Sequence, residues 1–262
     1  MDNILLLITA IFYFIAAANL FLFFLFKRLI FSTIYRIFLL SSSAAIFSLL
    51  VLRSIFLKFF SITNVFDVAL LMLLIVTITL LFSYKNILES PWFFLLTSII
   101  LLIVTAVLLL PSVPKTLSFP KPALRSPLLT IHVFFAAAGE VFLALTLFSK
   151  LSIFKINTRK ENCISNTNLS DVFANLGYFF FTLGALIIGP IWAKLSWGSF
   201  WSWDPKETSS LAVWALFSVY ILLKNFGKKY KVIAFIILIL ALAVSIFTFI
   251  GIPTTIISLH SH

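Results

Sequence analysis

The side chains of this chain best suited to metal or ligand chemistry are its three histidines, His132, His260 and His262. A neutral imidazole is the usual axial ligand of haem iron and is also a ligand of zinc. Zinc takes four nitrogen or sulfur ligands, and with a single cysteine, Cys163, the chain shows no cluster that would complete such a set. Because His262 stands at the chain terminus, where chains fray, we expect His132 and His260 to form the ligand pair.

A cluster of tryptophans is the second feature that indicates a ligand site. Five of the six tryptophans fall between Trp192 and Trp214, and the densest part reads Trp197-Gly-Ser-Phe-Trp-Ser-Trp-Asp-Pro-Lys-Glu-Thr208. Tryptophan also gathers at membrane interfaces, but an interfacial belt does not explain the alternating small residues or the charged residues that follow. Indoles offer rigid apolar faces and glycine permits close backbone approach, so the loop suits a flat macrocycle such as porphyrin. The residues expected to contact it are Gly198, Trp197, Trp201, Trp203 and Asp204.

Two carboxylates in this stretch, Asp204 and Glu207, are candidates for acid–base catalysis. Their spacing around Pro205 also matches a helix N-cap, a proline at the first helical position and a capping-box glutamate. We favour the capping interpretation, in which the pair fixes how the loop joins the next helix.

The composition requires a membrane as solvent. Of 262 residues, 62% are hydrophobic and only 10% are charged, and the mean hydropathy is +1.19. A soluble domain carries roughly 25% charged residues. We predict an all-α, polytopic transmembrane helix bundle with an external tryptophan-rich loop at 193–208. Its eight predicted spans are Ile4–Phe26, Ile37–Leu57, Val65–Phe82, Trp92–Leu110, Leu128–Phe148, Val172–Trp192, Ser209–Leu223 and Val232–Ile252.

The distribution of basic residues predicts the orientation. Twelve of the 19 lysines and arginines fall in one set of loops, which by the positive-inside rule lies on the inner side. Both termini, His132, the loop 193–208 and the tail with His260 are then expected outside. The net charge of +11 lies in short clusters between apolar runs, so we expect no nucleic-acid partner.

The sequence also predicts two regions of the chain, and it places two carboxylates inside predicted membrane spans. Residues 1–110 are expected to form N-terminal transmembrane helices, and 111–262 a ligand-handling region that includes the loop. Asp67 and Glu140 are costly in lipid and are functional candidates on that ground, although Glu140 receives no assigned role.

Three stretches resemble one family of haem-handling proteins. The segment Trp197–Thr208 is similar to its tryptophan-rich "WWD" signature, in the form found in the CcsA/ResC type of cytochrome c assembly protein. Leu128-Leu-Thr-Ile-His132-Val resembles the family's helix with the first external haem histidine. Phe249–Ser261, which ends in Leu-His260-Ser, resembles its C-terminal segment.

The resemblance implies that His132 and His260 ligate haem iron at the outer face while the loop holds the macrocycle. It also implies a CcsB/ResB-type membrane partner, with which the chain would act as a component of a cytochrome c synthase on apocytochrome c. The membrane would be a bacterial plasma membrane or a plastid thylakoid. The haem, haem b, is expected to be transient and non-covalent, because one cysteine cannot form a CxxCH site. Lys206 and Arg125 are electrostatic candidates for the propionates.

One departure and two alternatives stay open at this stage. Where many family members carry a histidine in the seventh span, this chain has Leu222, so a haem entry site of the family's kind cannot be built from its own spans. A transporter of a small or lipidic substrate is one alternative function, and a haem-sensing scaffold is the other.

Overall fold

The structure is a computed structural model that describes residues 2–60, 62, 64–88, 90–115, 125–154, 163–226 and 228–251. Every regular element within these ranges is helical. The α-helices are α1 (Asp2–Phe26), α2 (Leu29–Leu57), α3 (Val65–Phe82), α4 (Pro91–Leu109), α5 (Pro127–Phe154), α6 (Cys163–Phe181), α7 (Gly189–Trp197), α8 (Pro205–Leu223) and α9 (Lys231–Ile246). Two π-helical segments, Thr182–Ile188 and Phe247–Gly251, and two short 3-10 turns, Ser83–Asn86 and Lys228–Tyr230, complete the order.

Eight helical stretches in the described chain are long and apolar enough to cross a bilayer, which confirms the predicted number and class. The sixth of them, Leu169–Trp197, joins the end of α6, the first π segment and α7. Many large apolar side chains on these helices are exposed outward, as lipid-facing positions require. The chain is an integral multi-pass membrane protein.

The chain divides into two compact units, the first of which comprises Met1–Ser118 and Phe148–Leu169. Its helices α1 to α4 pack through apolar side chains joined by buried hydroxyl pairs. Tyr13 of α1 hydrogen bonds Thr77 of α3 at 2.5 Å, and Tyr35 of α2 hydrogen bonds Ser98 of α4 at 3.2 Å. Polar groups in a membrane bundle thus find partners on neighbouring helices.

A buried ion cluster lies where α1 and α3 begin and α2 ends. The Arg53 Nε donates to the Asp67 carboxylate at 2.6 Å, and its Nη1 donates to the Asp2 carboxylate and, at 3.2 Å, to the carbonyl of Lys115. Arg53 and Asp67 are both fully covered. The free-energy cost of burying the Asp67 carboxylate is therefore offset by its ion pair with Arg53, which joins the ends of neighbouring helices.

The second unit comprises Phe119–Leu147 and Ser170–His262, and it contains most residues of the predicted site. Its buried core includes Leu143 of α5, Phe217 of α8 and Leu238 of α9. Glycines let α5 approach the helix that follows it. A Cβ on Gly139 would lie 2.6 Å from the backbone of Phe181, and one on Gly184 would lie 2.4 Å from the backbone nitrogen of Ala136. No side chain other than hydrogen fits at either contact.

Candidate functional site

His132 lies near the start of α5, and its ring is fixed by the π segment. Its Nδ1 lies 2.9 Å from the carbonyl oxygen of Gly184. A carbonyl only accepts, so Nδ1 carries the proton and donates this bond. A histidine in this Nδ1–H tautomer binds a metal through Nε2.

Two residues of α7 enclose the same imidazole. The ring of Trp192 lies parallel to that of His132, with an interplanar angle of 7° and ring centroids 6.3 Å apart. Trp192 is itself almost fully buried at 1% exposure. A Cβ on Gly189 would stand 3.0 Å from both Nδ1 and Cε1 of His132, so the absence of a side chain there makes room for the ring.

The aromatic cluster continues from Trp192 into the loop between α7 and α8. Trp197 meets Trp192 edge to face at 5.8 Å, and Trp201 meets Trp203 in the same manner at 6.1 Å. The indole nitrogens of Trp197 and Trp201 are buried and have no hydrogen-bond partner in the described structure. A buried N–H donor without an acceptor is costly, so these two atoms indicate the place of an acceptor that the described residues do not supply.

The capping interpretation of Asp204 and Glu207 is confirmed. Asp204 accepts from the backbone N–H of Lys206 at 2.9 Å as the N-cap of α8, and Pro205 occupies the first helical position. The Glu207 carboxylate accepts from the backbone N–H groups of Ser202 and Asp204 at 2.8 and 3.3 Å. Glu207 therefore holds the loop on both sides of Trp203.

Trp203 is held in an unusual conformation. Its φ is +57°, in the left-handed region that a bulky residue adopts rarely and at a cost of about 1–3 kcal/mol. Its side chain is 71% exposed. The flanking hydrogen bonds to Glu207 maintain this strain, and the result is an indole face that the loop presents outward instead of burying.

The remaining predicted residues fall into three groups. Gly198 ends α7 with a φ of +86°, a left-handed conformation that favours glycine. Its contact with a ligand stays a prediction. Trp214 lies well inside α8, where it stacks on Tyr178 and donates to Thr182, apart from the loop. His260 and His262 lie outside the described residues, so the pairing of His132 with His260 stays a prediction.

Sequence reasoning missed the backbone partner of His132. The carbonyl of Gly184 carries no residue-type signal, but the Gly189-Pro190 pair that follows it is a visible helix breaker. The sequence places Trp192 in the tryptophan cluster but does not predict that its ring stacks on His132. The intramembrane Glu140 lies within hydrogen-bond reach of Ser245 of α9, which gives it a helix–helix contact.

The fold and site together define a multi-pass helical membrane protein in which His132 stacks on Trp192, next to a tryptophan-rich loop. A family model described as cytochrome C assembly protein matches residues 62–257, well over half of the chain. The chain belongs to the cytochrome c assembly protein family.

Individual relatives agree with this membership. The chain is 39% identical over 92 residues to the cytochrome c biogenesis protein CcsA of Cyanidium caldarium, covering 35% of this chain and 31% of the relative. It is 37% identical over 125 residues to CcsA of Chlamydomonas reinhardtii, covering 43% of this chain and 35% of the relative. The matches thus span about a third of the length of these relatives. Among solved structures, cytochrome c haem lyase CcmF shares the fold, with a TM-score of 0.73 at 15% identity over 95% of this chain and 46% of that chain.

Proposed function

We propose that this protein acts in cytochrome c maturation by binding haem at the outer face of its membrane and presenting it to apocytochrome c for covalent attachment. The observation that carries the proposal is the state of His132. Its Nδ1 donates to Gly184 and its ring stacks on Trp192, so Nε2 is the nitrogen through which it would ligate iron beside the tryptophan cluster. Family membership supports the general role, and the resemblance to CcsA proteins supports the partnership with a CcsB/ResB-type subunit.

The residues at this site fit a haem substrate. A porphyrin offers a flat apolar face, which suits the stacked and edge-on indoles, and an iron that takes imidazole nitrogen. It also carries two propionates, and the unpartnered indole N–H groups of Trp197 and Trp201 are donors that suit such carboxylates. When bound, haem supplies the vinyl groups to which the cysteine thiols of an apocytochrome add. The chain's own residues would hold and orient it.

Placing the site outside is supported by the distribution of basic residues between the two sets of loops. Arg53 belongs to the minority set of loops that we predict to be external, but it is compensated by Asp67 and Asp2 in a buried cluster. A charge neutralised in this way adds little to the topological signal of free lysines and arginines. Lys224 of the opposite set is likewise paired, with Asp171 at 3.6 Å, so the excess of basic residues in the opposite loops is the same when paired residues are left out of both sets.

Haem binding is tested by the visible spectrum of the purified chain. The protein from haem-replete cells is expected to show a Soret band, which His132→Ala and His260→Ala should each diminish and the double variant abolish. His262→Ala, a histidine change two residues from His260, is the matched control and should leave the band intact. Colourless wild-type protein, or a band that survives in the double variant, would contradict the proposal.

The side of the membrane is tested by cysteine labelling, for which the single native Cys163 is an internal reference. In a Cys163→Ser background, Ser199→Cys places a thiol in the tryptophan-rich loop. A membrane-impermeant maleimide added to intact cells should label this introduced thiol. In the unmodified chain, the same reagent should label Cys163 only after permeabilisation. The reverse pattern would place the loop inside and overturn presentation at the outer face.

A further inference from the structure

Between α6 and α7 the helix has a π-helical segment, and this segment contacts His132. In the segment Thr182–Ile188, the carbonyl of Gly184 accepts the backbone N–H of Gly189, five residues on, where a regular helix would use the residue four on. A carbonyl oxygen has two lone pairs, so Gly184 also accepts the Nδ1–H of His132. The π turn thus directs one backbone oxygen to a side chain on another helix.

The local sequence explains why the turn forms here. Pro190 has no N–H, and in a regular helix its ring would clash with the carbonyl of the residue four positions before it. One extra residue in the turn moves that carbonyl away. The second π segment, Phe247–Gly251, has the same relation to the sequence, because it also ends two residues before a proline, Pro253. The two π segments thus share the same spacing to a following proline in the sequence.

Neighbouring residues hold the first π turn in position. Trp214 of α8 donates from its indole nitrogen to the hydroxyl of Thr182, the first residue of the turn, at 3.0 Å. Gly184 sits against the backbone of Ala136 with no room for a Cβ, and a Cβ on Gly189 would stand 3.0 Å from the His132 ring, which would then have to shift by a few tenths of an ångström. The turn, α5 and α8 are therefore locked together around the imidazole.

We infer that the π turn Thr182–Ile188 is a positioning element for haem ligation, which fixes the ring of His132 in its Nδ1–H tautomer, the form that binds iron through Nε2. The inference rests on the proposed function and deepens it by assigning the orientation of the ligand to a backbone carbonyl. Partners of this kind on metal-binding histidines fix the ring and raise its basicity, and their loss weakens metal affinity by about 10–100-fold. No residue of the turn needs to touch the haem.

The test removes the π turn while preserving the helix register beyond it. Because a π turn is one residue longer than the regular turn it replaces, deletion of Ile187, whose side chain is 48% exposed, should restore α-helical bonding once Pro190→Ala removes the ring that would clash there, so the deletion and its control are both made in a Pro190→Ala background. Ile187→Ala removes most of the same side chain and keeps the turn, so it is the matched control. Gly189→Ala is the second variant, which keeps every residue and pushes the imidazole from its place.

The main measurement uses apoprotein, in which ¹⁵N-histidine NMR distinguishes the two ring nitrogens. His132, assigned by its absence in His132→Ala, should be a pure Nδ1–H tautomer in the wild type and in Ile187→Ala. In the deletion variant and in Gly189→Ala, His132 should become a mixture of the two tautomers, and haem affinity should be about 10–100-fold weaker. An unchanged tautomer or affinity in a folded variant overturns the inference, and if the deletion does not fold, Gly189→Ala decides.

The two proposals fail in distinguishable ways. If the wild type shows the pure tautomer but binds no haem, the proposed function fails and the π turn is only a structural contact. If the wild type binds haem through His132 while the variants retain full affinity, the proposed function stands and the positioning role is wrong.

Discussion

The imidazole of His132 and the backbone carbonyl of Gly184 are joined by a 2.9 Å hydrogen bond across 52 residues of sequence. The bond requires α5 and the π turn to approach more closely than side chains normally permit. Glycines at the contact make this approach possible, and the ligand geometry at His132 therefore depends on residues with no functional groups of their own.

This dependence is tested by adding one methyl group to the helix contact. Gly139→Ala would place a Cβ 2.6 Å from the Phe181 backbone, which cannot move without shifting its helix. We expect a loss of about 1–3 kcal/mol in the free energy of unfolding in detergent, together with weaker haem binding. Gly177→Ala is the matched control, since its Cβ would stand 3.1 Å from side-chain atoms of Phe142 and Phe217 and 3.2 Å from the backbone nitrogen of Leu143, a milder conflict than that at Gly139. Equal effects of the two substitutions would show that glycine at 139 has no special role.

The ion cluster of the first unit predicts a large penalty for breaking one partner alone. Arg53→Met would leave Asp67 charged and buried, at a cost of about 3–5 kcal/mol in unfolding free energy. The double variant Arg53→Met/Asp67→Leu should recover most of that loss, because the one carboxylate left without Arg53 is that of Asp2, whose side chain is 19% exposed. Lys58→Met, at an exposed lysine one turn beyond the cluster, is the control. A double variant as unstable as the single one would argue against a structural ion pair.

We predict that the Glu207 carboxylate stabilises the conformation of the tryptophan-rich loop. Glu207→Ala removes the acceptor for the N–H groups of Ser202 and Asp204, which should cost about 0.5–2 kcal/mol and loosen the loop around Trp203. Chymotrypsin should then cut within 198–204 faster than in the wild type. Ser209→Ala, which removes a hydroxyl bonded within the same helix turn, should leave the cleavage rate unchanged. Equal rates in Glu207→Ala and the wild type would count against this role of the carboxylate.

The sequence was most informative where composition and local patterns decide structure. Eight apolar stretches of spanning length predict eight helices, because lipid leaves the backbone no alternative partner. The capping box at Asp204 was predictable for the same reason, since its bonds join residues three apart.

Relations between distant residues were not accessible in this way. The pairing of Arg53 with Asp67 depends on how α2 and α3 pack, and neither residue predicts the other from a single sequence. The sequence indicates the π turn only through the helix-breaking pair Gly189-Pro190. The contact of this turn with His132 depends on how the helices pack. The strained φ of Trp203 likewise has no signature in residue type, because the hydrogen bonds around it impose the conformation.

The central claim is that the Nε2 of His132 binds haem iron, and chemical rescue of a cavity variant tests it most directly. His132→Gly removes the ligand and leaves a space bordered by Trp192 and Gly189, into which free imidazole fits. The account predicts a weakened Soret band in this variant and its recovery on titration with imidazole, with no recovery on addition of pyrrole, which lacks a basic nitrogen. A Soret band in His132→Gly equal to that of the wild type, without added imidazole, would contradict the claim.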